Sequence, residues 1–170
     1  MWKLSWPLSS EGIASYEKGQ LLMAGDLPGI FDKIVALQEA ITPPTGEKAM
    51  KAYDEPPGDV AQFPCFVNIE EEGVEIIRSP GLRQQKFVIN MHLLFAPGVQ
   101  KYGVRSRRLW VKPVIDAFDN AIRFDNEQAP VQYAPIESVS FAPVDINNTE
   151  YVAATFVLRA WLAEAFTFDA

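Results

Sequence analysis

Residues 83–95, RQQKFVINMHLLF, form the stretch that decides the fold class of this chain. Every second residue from position 87 onward is large and apolar: Phe87, Ile89, Met91, Leu93 and Phe95. The positions between them form a half-polar set: Val88, Asn90, His92 and Leu94. A period of two is typical of a β-strand. We therefore predict a strand with one face in the core and the other partly exposed or at an interface.

Two shorter strands are predicted just before this one. Cys65 to Glu70 is apolar and holds Phe66, Val67 and Ile69, which favour strands. Val74 to Arg78 follows the turn at residues 71–73 and precedes the turn signal at residues 79–81. The sequence therefore predicts three strands in succession, joined by tight turns.

The C-terminal third predicts one long strand and one short one. Tyr151 to Phe168 contains helix-forming residues, but its apolar residues alternate strictly, so we predict a strand. At ~3.3 Å per residue such a strand exceeds about 40 Å, and it should project beyond its domain or pair with a neighbour. Glu137 to Phe141 is predicted as a short strand. Residues 143–150 are predicted as a loop, with Asn147-Asn148 as its turn.

Two helices are indicated by apolar residues at helical spacing. The first covers Leu27 to Ile41 and is stopped by Pro43-Pro44. The second covers roughly Leu109 to Arg123. Its start is placed near Leu109 because Pro113 costs almost nothing in the first turn but about 3 kcal/mol or more inside a helix.

These elements predict an α+β fold, a mostly antiparallel sheet with two helices packed on one face. Residues 26–170 are expected to form a single domain, and residues 1–25 an N-terminal arm whose tryptophans contact either a neighbour or this chain's own core. The proline-rich residues 42–64 are expected to be irregular, as a loop that reaches a neighbouring subunit or as a mobile surface excursion.

Composition excludes several classes of function. The 170 residues carry a formal net charge of −7, which disfavours general nucleic-acid binding, since that depends on cations at phosphates. One cysteine cannot form an internal disulfide. The sequence contains no run of about 18 apolar residues, the length that a membrane-spanning helix needs. The sequence is therefore that of a soluble intracellular protein, with no membrane partner.

Reactive side chains are few, so we expect that this protein is not an enzyme and that it binds no cofactor and no metal ion. Cys65 and His92, the one cysteine and the one histidine, could form a nucleophile–base pair only across neighbouring strands, and no third residue orients the histidine. Glu70, Glu71 and Glu72, with Glu75 nearby, surround one turn. They lack the spacing of a calcium loop and are interpreted as a solvated hairpin tip or an acidic contact patch.

Charges of opposite sign are segregated around the second helix. The basic group has no acidic residue within it: Lys101, Arg105, Arg107, Arg108 and Lys112. Asp116 and Asp119 begin the acidic part that follows. Separated patches of opposite sign suit head-to-tail contact between identical subunits, although ordinary surface charge is an equal alternative. The candidate subunit-interface residues are Arg105, Arg107, Arg108, Lys112, Glu70, Glu71, Glu72, Asp116 and Asp119.

The order of these elements resembles the tail terminator (tail completion) proteins of long-tailed bacteriophages. The resemblance covers residues 27–168 and is carried by element order: Leu27–Ile41, residues 63–69, Arg83–Phe95, Leu109–Phe124 and Tyr151–Trp161. It implies a structural virion protein, assembled in the host cytoplasm, that forms a hexameric ring at the tail–head joint. Its partners would be itself, the tail tube protein and the head connector, with DNA passing through the lumen without specific binding.

Two alternatives stay open at this point. Another neck component, such as a head-completion stopper or a connector adaptor, would use the same kinds of surface. A small cytoplasmic enzyme or ligand-binding α+β domain would instead depend on Cys65 or His92, so replacing both residues should abolish its activity.

Overall fold

The computed structural model describes residues 27–71, 73–97, 101–121 and 131–165. The predicted N-terminal arm, Glu72 and the end of the predicted C-terminal strand, residues 166–168, lie outside these ranges. The predicted C-terminal end of the second helix, residues 122 and 123, also lies outside them.

The first helix, α1, spans Leu27–Ala40, close to the predicted range. Its apolar stripe is buried, with Ile30 and Ile34 at most 1% exposed. The backbone N–H of Ile41 donates to the carbonyl of Gln38 at 3.2 Å, which closes the last turn before the two prolines.

The second helix, α2, spans Lys101–Asn120, so the predicted start near Leu109 was wrong. Pro113 lies inside the helix rather than in its first turn. The carbonyl that loses its helical donor belongs to Leu109, a residue that is 44% exposed. Burial of Trp110, Val114 and Phe118 on one stripe further offsets the cost of the proline.

Eight strands form one sheet among the described residues. Their bounds are β1 Lys51–Tyr53, β2 Cys65–Glu70, β3 Glu75–Ser79, β4 Leu82–Pro97, β5 Val131–Tyr133, β6 Ile136–Ser140, β7 Val144–Ile146 and β8 Thr149–Ala165. The main strand order is β1-β2-β4-β8-β5, with β3 also on β4 and with β6 and β7 also on β8. Only the β1–β2 pairing is parallel, so the prediction of an α+β fold with a mostly antiparallel sheet is confirmed.

The two long predicted strands, β4 and β8, form the centre of the sheet. They pair from Leu82↔Ala165 to Pro97↔Tyr151, with one irregularity between Leu94 and Ala96. The other edge of β8 is paired with β5, β6 and β7 in turn. The long C-terminal strand therefore finds its partners within its own chain along most of its length.

Three short strands were not predicted. β1 lies within the segment expected to be irregular, β7 lies within the predicted loop, and β5 precedes the predicted short strand. Each has three residues, which is too few to display a period of two. The turn at Asn147-Asn148 is confirmed: both residues have positive φ, 53° and 61°, as a two-residue hairpin turn requires.

The larger core lies between the sheet and both helices. It contains the apolar stripes of α1 and α2 and the face of β4 that was predicted to be buried. The opposite face of the sheet carries a smaller core, which is made of Cys65, Val67, Leu94, Ile146, Tyr151 and Ala153. The half-polar face of β4 is thus partly covered: Leu94 is fully buried, whereas Asn90 and His92 are half-buried.

Candidate functional site

Cys65 and His92 lie on one face of the sheet without forming a reactive pair. The register pairs Cys65 with Leu94 and Val67 with His92, so the two residues are offset diagonally on adjacent strands. Burial raises the pKa of the Cys65 thiol to about 12, and this disfavours the thiolate that a nucleophile needs. The Nδ1 atom of His92 lies 2.9 Å from the Thr155 hydroxyl oxygen. The arrangement therefore fits a buried thiol and a histidine held by its neighbour.

His92 leads us to predict acid sensitivity. Burial lowers the pKa of His92 from 6.5 to about 4, so the unfolded chain binds a proton at higher pH than the folded chain does. Between these two values the unfolded state holds more protons, so the free energy of unfolding should fall as pH falls from 6.5 towards 4. Above 6.5 the histidine is neutral in both states and contributes no pH dependence.

The measurement compares the parent chain with His92→Gln, which keeps a polar atom near Thr155. Urea unfolding of both at several pH values should give a smaller loss of stability for the variant over the acidic window. Equal pH dependence in the two proteins would assign the acid sensitivity to other groups.

The turn region after β2 does not gather its carboxylates into one site. Glu70 is exposed at the end of β2, and the Oε1 atom of Glu71 lies 3.5 Å from the Asn90 amide nitrogen. Glu75 belongs to the next hairpin, where its carboxylate accepts a 2.5 Å hydrogen bond from Lys86 that lowers its pKa. In the part of the chain that the structure describes, no three acidic, histidine or cysteine side chains are placed to hold a metal ion.

The strand β3 is the most exposed apolar element described. It pairs with β4 alone, and all five of its residues are exposed. Ile76 is 49% exposed and Ile77 is 42% exposed. Because adjacent residues of a strand point to opposite faces, neither face of β3 is covered. We use the name apolar edge for the exposed side chains of Val74, Ile76 and Ile77, which together leave apolar area on both faces.

The candidate basic residues all lie on α2, but they have different surroundings. Arg105 and Arg108 are exposed. Arg107 is half-buried, its guanidinium lies 5.0 Å from the centre of the Phe141 ring, and it donates a hydrogen bond to the Phe141 carbonyl at 3.3 Å. Lys112 and Asp116 form an ion pair one turn apart. Two residues assigned to opposite patches are therefore partners within one helix, while Asp119 is exposed near its end.

A groove of about 380 Å³ lies where the start of α1, the segment after β1 and the end of β2 meet. Its apolar lining is formed by Pro28, Phe31, Pro56 and Ile69. Its acidic lining is formed by Asp32, Asp54, Glu55 and Glu70. We call this surface the acidic groove. All four carboxylate residues are exposed, so the groove offers negative charge around a partly apolar floor.

A buried amide pair fixes the inner wall of the acidic groove. Gln38 Nε2 donates to Asn68 Oδ1 at 2.8 Å, and Asn68 Nδ2 donates back to Gln38 Oε1 at 2.9 Å. Asn68 Nδ2 also donates to the Tyr53 carbonyl at 2.8 Å. Both amide side chains are almost fully buried, which makes these bonds costly to break. The pair therefore holds α1, β1 and β2 in a fixed relation.

Of the predicted interface residues that the structure describes, only Glu70 lines the acidic groove, and the sequence did not predict the groove itself. Its carboxylates come from three segments that are far apart in the chain, so no local spacing marks them. For the proline pair that follows Asp54 and Glu55, the sequence predicts only an irregular segment.

Comparison with known proteins adds no identity. No protein-family model and no curated protein matches this chain. Among the residues that the structure describes, no helix combines the length and apolarity needed to cross a membrane. The features of the described structure that bear on function are the apolar edge, the basic residues of α2 and the acidic groove.

Proposed function

We propose that this chain is a structural virion protein, a ring-forming tail terminator that caps the tail tube and joins it to the head connector of a long-tailed bacteriophage. The observation that carries the proposal is the apolar edge on β3. The order of elements supports it as well, since the resemblance to tail terminators rests on that order.

The apolar edge has the properties of a protein contact surface. Val74, Ile76 and Ile77 are 42–49% exposed within four residues, and the backbone edge of β3 that faces away from β4 has no strand partner among the described residues. Exposed strand edges favour pairing with another chain, and natural monomers usually protect them with charges or short strands. Two adjacent isoleucines on such an edge are expected where a neighbour covers it.

The electrostatics agree with a conduit for DNA. A net charge of −7 agrees with a ring through which DNA passes without being held, since an acidic surface repels phosphates. Head-to-tail contact between unlike surfaces generates a ring when the rotation closes. The separation of basic α2 residues from the acidic groove provides such unlike surfaces.

The test is the mass of the purified protein by native mass spectrometry, alone and with the tail tube protein. We expect a ring, most simply a hexamer, in at least one of the two samples. A strictly monomeric protein in both samples, at concentrations up to about 100 µM, would overturn the proposal, because stable subunit contacts assemble well below that range.

Two other functions are distinguished by separate experiments. A head-completion stopper or connector adaptor would be distinguished by cross-linking, which shows which of its surfaces contacts the tail tube and which contacts the portal complex. A cytoplasmic enzyme or ligand-binding domain would lose its activity when Cys65 and His92 are both replaced. The raised thiol pKa and the burial of Cys65 favour the structural function over that second alternative.

A further inference from the structure

We propose that the acidic groove is the receptor for the basic face of α2, carried by Arg105 and Arg108, of a second copy of this chain. The inference rests on the proposed function, since it names the contact that joins neighbouring subunits. The sequence predicts that the basic residues of α2 contact acidic residues of α2 in a neighbouring subunit. The acidic groove, which includes the start of α1, takes the place of those acidic residues here.

The first observation is that the acidic groove has charge without a partner. Within the described ranges, no ion pair involves any of its four carboxylates. None of the described residues that line the groove is basic, and Phe31 and Ile69 provide apolar surface beside the charges. A guanidinium is suited to this combination, because its planar group stacks on an aromatic ring while its N–H groups bind carboxylates.

The second observation is that Arg105 and Arg108 are cations that the described part of the chain leaves exposed. Arg107 contacts Phe141, and Lys112 contacts Asp116. Arg105 and Arg108 have neither kind of contact and lie on the solvent side of α2. Their position three residues apart places both on one face of the helix, so they can enter the same groove.

The third observation is that the groove and the two arginines lie in different regions of the described chain. The acidic groove includes the first turn of α1, through Pro28, Phe31 and Asp32. The Ser106 hydroxyl, on the basic part of α2, donates to the carboxylate of Glu47 in the segment after α1 at 2.8 Å. Arg105 and Arg108 are absent from the described lining of the groove, so we infer that they enter the groove of a second copy.

The contact therefore joins two different surfaces of the chain. Such a contact is head-to-tail, and it can close into a ring or continue as a filament. A contact that used the same surface twice would stop at a dimer. The geometry thus agrees with the ring that the proposed function requires.

The experiment is a charge swap between the two surfaces. One variant carries Arg105→Glu and Arg108→Glu, a second carries Asp54→Lys and Glu55→Lys, and a third carries all four changes. Each of the first two should weaken subunit association by about 100-fold, because like charges then face each other across the interface. The third should recover most of the association, since the attraction is restored with its sign reversed.

A matched control reverses two carboxylates outside the groove. Asp145→Lys with Glu150→Lys makes the same change in net charge on the β7–β8 hairpin, where both residues are exposed. It should leave association within about threefold of the parent chain. A milder pair, Asp54→Asn with Glu55→Gln, should weaken association by a smaller factor and reduce its dependence on salt.

The outcomes separate this inference from the proposed function. Loss of association in both reversed variants, with recovery in the four-fold swap, would support the contact. An oligomer that is insensitive to the groove reversal, that responds equally to the control, or that fails to recover in the swap would overturn the contact and leave ring formation standing. A parent chain that is monomeric throughout would overturn the proposed function itself.

Discussion

A chain carrying Ile76→Lys and Ile77→Glu is expected to remain a folded monomer under conditions where the parent chain assembles into the ring that we propose. Both side chains are almost half exposed in the single subunit, so their replacement should cost the monomer little. If a neighbouring subunit covers β3, the loss of each isoleucine removes about 1 kcal/mol of the association free energy that comes from burying its exposed apolar area. Burial of two charges costs several kcal/mol more, so association should weaken by more than about 1000-fold.

Sedimentation velocity over a range of concentrations measures this effect directly, with thermal unfolding as the check on the fold. The matched control is Ile76→Thr with Ile77→Thr, because threonine keeps the strand propensity of β3 and removes only part of its apolar surface. It should give intermediate association. A charged variant that still assembles at the parental concentration, with its hairpin intact, would show that the apolar edge lies outside the subunit contact.

The centre of the sheet was predictable because its strands are long. Residues 87–95 of β4 alternate strictly, and the longer run in β8 repeats the period of two often enough to outweigh the helix-forming alanines and leucines of β8. Three-residue strands such as β1 and β7 carry no such signal, and they form because a neighbouring strand offers backbone partners. The formation of these short strands therefore depends on pairing with a neighbouring strand, which the local sequence pattern does not reveal.

The start of α2 was mispredicted for a related reason. A proline rule drawn from isolated helices gives Pro113 a cost of about 3 kcal/mol, and this argues for a later start. The rule does not count the burial of Trp110, Val114 and Phe118, which anchors the helix on both sides of the proline. Packing against the sheet outweighed a local preference that the sequence expresses clearly.

The candidate surfaces were predictable only in part. The basic residues of α2 lie close together in the sequence, so the sequence alone was enough to identify them. The exposure of β3 depends on the helices leaving both faces of the hairpin uncovered, which no pattern within Val74–Arg78 reveals. The acidic groove depends on the parallel β1–β2 pairing, which carries Asp54 and Glu55 to the start of α1.

Replacement of Phe156 by alanine is expected to lower the free energy of unfolding by about 3–5 kcal/mol. Phe156 is fully buried at the middle of β8, where it pairs with Met91 on one side and Val139 on the other. Its ring centre lies 6.1 Å from that of Phe66, in a tilted contact. Truncation leaves a cavity between β8 and its neighbours, because the paired backbone cannot collapse into the space.

Urea unfolding of the parent and variant chains measures this loss, with the slope of the transition expected to stay unchanged. Phe141→Ala is the matched control: the same atoms are removed from a ring that is 46% exposed, so the loss should stay below about 1 kcal/mol. Since domains of this size have only about 5–15 kcal/mol of stability, the Phe156 variant should lose a large share of it. Equal losses in the two variants would contradict the assignment of Phe156 to the centre of the core.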